Sequence, residues 1–195
     1  MAWAALVAYL AYFGLTIIVH FAPDALSPVR YPMSAASRTS WGALNRLALA
    51  CNVFGTLFLV QAIRASHPIT PWAVVAETDL LTVALARLAL AWLLMDPPGA
   101  PPTLPGVLHI LFAAISFGAA AAAVNALVVA APGPSSVAGI AQGLAHAAFP
   151  TLWLLLATAV IPPLRRRLFG LTERVFLLIV NIDLVFAAFS VLVGR

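Results

Sequence analysis

Six long apolar runs are strung along a chain of only 195 residues, and that density leaves few folds open. From Trp3 to Phe21, from Gly106 to Ala131 and from Ala138 to Ile161 there is no Asp, Glu, Lys or Arg. About 20 consecutive apolar residues in a helix cover a hydrocarbon core about 30 Å thick. With 64% hydrophobic and 8% charged residues, the chain is composed for a bilayer. The expected fold is all-α: a polytopic integral membrane protein built as a six-transmembrane-helix bundle. Six spans leave only short connections, so residues 1–195 form a single membrane domain.

Turn-forming residues place the helices at about 3–21, 41–63, 72–95, 106–131, 138–161 and 173–193. Pro23 and Asp24 end the first, and Trp41 anchors the second at the interface. Pro68 and Pro71 close the second loop. The Asp96–Pro105 segment, DPPGAPPTLP, is too rich in proline to continue a helix. An uncharged turn, Pro132–Ser136, joins helices 4 and 5. Pro150 is expected as a kink within helix 5, and Pro162 and Pro163 as its stop. The first run lacks a preceding basic segment and is long for a signal sequence, so it reads as a retained helix.

The net charge of +4 is carried by Arg alone, with no Lys in the chain. These arginines are scattered over loops and helix ends rather than gathered on one face. They argue for membrane orientation and against nucleic acid. The Ala-, Leu- and Arg-rich usage points to a GC-rich bacterial genome, and so to the inner membrane. Cys51 is a lone cysteine within an apolar run, and a small packing residue is the expected role.

Ionisable groups in hydrocarbon are costly and mark bundle interiors or water-filled cavities. Helix parity places His20, Asn45, Arg46, Asp96, His109, Glu173 and Arg174 at helix ends opening on the face of loops 1, 3 and 5. His109, Ala113, Ser116 and Ala120 share a stripe of helix 4, and Asn45 and Asn52 share one of helix 2. A polar pocket on that face is expected, able to take a metal, a lipid headgroup or a small solute. Interfacial anchoring and helix capping are the structural alternative for the same residues. Asp96, His109 and Arg174 are expected to converge there, with loops 3 and 5 folded over the mouth. Deeper in the bundle, Arg87 of helix 3 and Asp183 of helix 6 are expected to pair, because neither charge is tolerable alone. His146 follows Gly139-x-x-x-Gly143. It is expected as a buried, hydrogen-bonded side chain, since no second histidine at its depth completes a haem site.

In outline the chain resembles a bacterial six-helix membrane family, catalogued as domain of unknown function 998. The resemblance is carried by SPVRYPMSAAS with Ser34, by MDPPGAPPTLPGVLH with Asp96 and His109, and by FGLTERV with Glu173 and Arg174. In that family an acidic residue commonly follows the loop 1 serine, where this chain has Ala35, and the fourth loop often carries Arg. The resemblance implies the six-helix fold and a pocket that adds Ser34 to the candidates. It implies no established reaction and no cofactor.

Two classes of function remain on this reading. One is binding of a membrane lipid or small amphiphile, or service as an accessory subunit beside membrane-protein partners. The other is a metal-dependent hydrolase using His109 and Asp96 with His20, or a small transporter acting as a homo-oligomer. Loops 1, 3 and 5 carry Arg30, Arg38, Arg165, Arg166 and Arg167, against Arg64 and Arg195 on the other side. The excess predicts those loops in the cytoplasm and both termini outside. Reporter fusions at each terminus test this: termini on opposite faces would overturn the helix count, and both inside would overturn the charge argument.

Overall fold

The computed structural model describes residues 1–22, 26–66, 69–97, 99–130 and 135–193. The regular structure among them is helical: α1 (Ala2–His20), a 3-10 turn η1 (Met33–Arg38), α2 (Gly42–Ser66), α3 (Pro71–Leu90), α4 (Leu104–Ala130), α5 (Ser135–Val160) and α6 (Pro162–Val193). Five of the long helices, all but α3, are long and apolar enough to cross a membrane. α3 is 20 residues long and carries Glu77, Asp79 and Arg87, so its length fits a span and its charges set it apart. Asp24, Pro68, the 131–134 part of the fourth connection and Arg195 lie outside the described residues.

Local chemistry sets the ends. Thr70 Oγ1 accepts from Ala73 N (3.1 Å) and Pro71 occupies the first helical position, a capped start for α3. Thr103 Oγ1 accepts from Gly106 N at the head of α4. Two boundaries differ from the sequence expectation. α3 stops at Leu90 although Ala91–Met95 is apolar, and α6 begins at Pro162, eleven residues before Glu173. Pro162 and Pro163 therefore open a helix rather than only closing one, because proline lacks only an N–H that the first turn leaves unpaired anyway. At 32 residues and about 1.5 Å per residue, α6 is about 48 Å long, well beyond the hydrocarbon thickness. Its first turns hold Arg165, Arg166 and Arg167, so the fifth connection is a tight join at Ile161.

The six long helices close a ring in chain order, each packed on the next and α6 back on α1, with α6 also reaching α2 and α4. Tyr9, Leu59, Leu80, Val124, Leu155, Phe176 and Leu184 fill the interior. On α4, Ala120, Ala121, Ala123 and Ala126 are buried, and their small side chains let the neighbouring helices approach closely. Outward faces are as apolar as the core: Leu10, Leu85, Ile110, Trp153 and Leu178 are all more than half exposed. Such a surface suits lipid, not water. His146 is exposed on α5 rather than buried, alongside Gln142, Gly139 and Gly143.

Loop 1 lies against α6 because Gly170 lets it. A Cβ at that position would collide with the carbonyl oxygens of Pro28 and Tyr31. The contact is closed by Leu171 N donating to Val29 O (3.1 Å). η1 is thereby held over one end of the ring, touching α2 and α6.

Candidate functional site

At the end of the ring where η1 sits, parity brings together the C-terminal ends of α1, α3 and α5 and the N-terminal ends of α2, α4 and α6. A cavity of about 90 Å³ enters the bundle there. Its rim is Met33, Ser34 and Ser37 of η1, with Asn45, His109 and Glu173. Its floor is Asn52, Arg87 and Ser116, with Tyr12 and Thr16 of α1 along one wall. His109, Ala113 and Ser116 all line it, as do Asn45 and Asn52, so both stripes turn inward as the helical period requires.

Rim contacts fix the lid. Glu173, 5% exposed, accepts from Met33 N through Oε2 (2.6 Å). Asn45 Nδ2 donates to Ser37 Oγ (2.8 Å), and Ser34 Oγ reaches Met95 Sδ (3.8 Å). His109, 6% exposed, holds Leu93 O at 2.7 Å through Nδ1, and Arg38 Nε donates to Met95 O (2.7 Å). These two bonds tie the segment after α3 to α4 and η1. Helical bonding runs on as far as Leu93 N to Ala89 O (3.1 Å), and Pro97 has no N–H with which to meet the Leu93 carbonyl.

On the floor, Arg87 is 4% exposed and meets only neutral groups. Its Nε donates to Ser116 Oγ (3.3 Å), and its Nη1 donates to Asn52 Oδ1 and, at 3.5 Å, towards Asn181 Oδ1. Asn52 Nδ2 donates to Asn181 Oδ1 (2.6 Å), and Asn181 Nδ2 to Leu177 O (2.6 Å). The network runs on through Thr56, which donates to Asn52 O (2.9 Å) and accepts from the Tyr9 hydroxyl (3.2 Å). Arg87 Nη2 is buried and without a hydrogen bond.

The expected Arg87–Asp183 pair does not form. Because α3 ends at Leu90, Arg87 belongs to its last turn, about 4.5 Å from the helix end, and not to mid-span. The α6 residue that meets it is Asn181; Asp183, two positions on, points about 200° round the helix. Asp183 Oδ1 is buried without a hydrogen bond of its own. Among the described residues the ion pair that does form is Arg64–Glu77 (2.7 Å), at the other end of the bundle.

Among the described cavities, Asp96, His109 and Arg174 line three different ones. Asp96 lines an outer cavity of about 600 Å³ with Arg30, Arg165 and Arg166. It accepts from Thr103 N (2.9 Å) and Thr103 Oγ1 (2.7 Å), and these bonds hold its carboxyl below the usual carboxylate range. Gly106 leaves room for it, since a Cβ there would displace the carboxylate. Arg174 donates through Nη1 to the carbonyls of Pro28 and Tyr31 (2.6 Å each) and Gly170 (3.0 Å). Its Nε reaches His20 Nδ1 (3.4 Å), and the two side chains border a third space of about 20 Å³. Arg174 and His20 thus secure loop 1. Arg46, one residue and about 100° past Asn45, is exposed on α2 and faces away from the cavity. Asp96 and His109 line different described cavities, Asp96 bonded to Thr103 and His109 Nδ1 to Leu93 O. Loop 1, rather than loops 3 and 5, covers the mouth.

Sequence reasoning had assigned Arg87 elsewhere and had passed over Asn181, Ser37, Tyr12 and Thr16. Asn181 carried a usable signal: an amide four residues past Leu177 in an apolar helix needs a partner, as an ion does. Compared with known proteins, the chain matches no family model, no curated protein and no solved structure.

Two predictions follow from these contacts. In a double-mutant cycle, Arg87→Gln and Asp183→Asn add to within about 0.5 kcal/mol, as independent sites do; a larger coupling in reversible unfolding would show that the two charges meet. Asp96 has a folded-state pKa below its unfolded value, so its bonds stabilise loop 3 above about pH 4, the ordinary carboxylate value, and are lost as pH falls through the depressed one. The Thr103 amide resonance follows that titration, and Thr103→Val moves the Asp96 pKa upward. An Asp96 that titrates at its ordinary value in the parent protein would refute the staple.

Proposed function

We propose that this chain is a six-span integral membrane protein of a bacterial inner membrane, and that it holds a lipid or small amphiphile by its polar group in the cavity beneath η1. One observation carries the reading: a cavity with polar side chains among an otherwise apolar lining enters a bundle whose outer surface is apolar. A structural core would fill such a space with side chains, since interiors pack as densely as organic crystals. A ligand with one polar end fits both the lining and the surrounding lipid. α3 counts as the sixth span here, its Arg87 turned inward and its Glu77 paired with Arg64.

Ala113→Phe tests the proposal by filling the cavity without touching its polar groups. The parent protein, purified in mild detergent, is expected to retain an amphiphile at near one per chain in native mass spectrometry. The variant is expected to lose it while keeping its helicity. A parent protein that carries no amphiphile and takes up none would overturn the reading.

A second reading, as a subunit in a larger membrane assembly, is favoured by α5. Gln142 and His146 are exposed there within an apolar helix, and a Cβ at Gly139 or Gly143 would meet nothing within 4 Å. Polar groups facing hydrocarbon gain from a partner helix, and small residues admit one. Photocrosslinking from position 146 in membranes distinguishes a protein neighbour from lipid.

A further inference from the structure

The floor of the cavity has a feature that the amphiphile reading leaves open. Arg87 is a buried cation, and none of its hydrogen-bond partners is a carboxylate: Asn52, Asn181 and Ser116 are all neutral. Its Nη2 has no partner, and the residue lines the cavity. A bare donor on a charged group that lies out of water is costly unless something else meets it. The neighbouring Ser116 is 0% exposed. Its Oγ accepts from Arg87 Nε, which leaves its own hydroxyl hydrogen free to donate. Two donors, the Nη2–H of Arg87 and the O–H of Ser116, thus belong to bonded neighbours that both line the cavity at its buried floor. The amides of Asn52 and Asn181 are already committed to each other and to Leu177 O.

We propose that the cavity binds a carboxylate, one oxygen on Arg87 Nη2 and the other on the Ser116 hydroxyl. The proposal rests on the binding function assigned above and names its ligand class. One cation with one open nitrogen balances a single negative charge. A doubly charged phosphate monoester would bring a second charge into a space that already holds the Glu173 carboxylate at its rim. The volume of about 90 Å³ admits a small polar head and not a bulky one. Arg87 also explains why the site is built so close to the end of α3. A carboxylate arriving from the η1 side meets the guanidinium within the last turn, without crossing the apolar core.

The carboxylate could belong to a free small acid or to a fatty acid, and the test separates the two. Purified protein in nanodiscs is titrated calorimetrically with acetate, octanoate and octanol, each against empty nanodiscs, alongside Arg87→Gln and Ser116→Ala. Octanoate is expected to bind the parent protein, octanol at least tenfold more weakly, and both variants to lose at least tenfold in octanoate affinity. Acetate binding as tightly as octanoate would uphold the carboxylate site and overturn the amphiphile reading. Octanoate and octanol binding alike, with the variants unaffected, would overturn the carboxylate site and leave the amphiphile reading standing. No binding of any of the three would overturn the carboxylate site. If Arg87→Gln does not fold, Ser116→Ala decides, because it keeps the cation and removes only one donor: undiminished octanoate affinity in that variant sinks the proposal.

Discussion

A buried guanidinium held by neutral amides is the constraint on which the rest of this bundle turns. Arg87 cannot be placed in hydrocarbon cheaply, and its neighbours are arranged around that fact. Asn52 of α2, Ser116 of α4 and Asn181 of α6 all turn towards it, so three helices are aligned by one side chain. Asn52 and Asn181 also bond each other, which spares both amides the cost of burial without a partner. Through Thr56 and Tyr9 the same network fixes α1. In water, net gains from hydrogen bonds of this kind are about 1 kcal/mol each. Their main effect here is directional: apolar helices can slide or rotate against each other at little cost, whereas a shared polar network specifies register.

The open end of the bundle is secured by different means. Arg174 collects three backbone carbonyls, two of them from loop 1, and the missing side chain of Gly170 makes the approach possible. Glu173 takes the Met33 amide, and Arg38 and His109 take carbonyls from the segment after α3. Neighbouring residues on α6 therefore share the work: Arg174 holds loop 1 by its carbonyls, and Glu173 holds η1 by the Met33 amide while also standing at the rim of the cavity.

Much of the architecture was legible because a hydrocarbon solvent leaves the chain little choice. Runs without charge became α1, α4 and α5, and these and α2 have ends within a few residues of those expected; the inward stripes of α2 and α4 followed from the helical period. What was not legible depends on partners distant in sequence. The segment after α3 is tied down from afar, its Met95 carbonyl by Arg38, 57 positions earlier, and its Leu93 carbonyl by His109, 16 positions later. Pro162 and Pro163 look like a stop and serve as a start. The misassigned end of α3 then propagated: with Arg87 set too deep, Asp183 seemed its natural partner, and the role of Asn181 was missed.

Asp183 shows how far satisfaction of polar groups extends in this fold. It is 2% exposed, and one carboxylate oxygen is unbonded, on a face of α6 that Arg87 does not reach. An ionised carboxylate in that position would carry a large desolvation cost, whereas a protonated one is both neutral and a donor. Arg87 has no such escape, because guanidinium keeps its proton under all ordinary conditions. The two buried ionisable groups are thus unequal. Arg87 lines a described cavity and keeps its charge there, whereas Asp183 lines none of the described cavities.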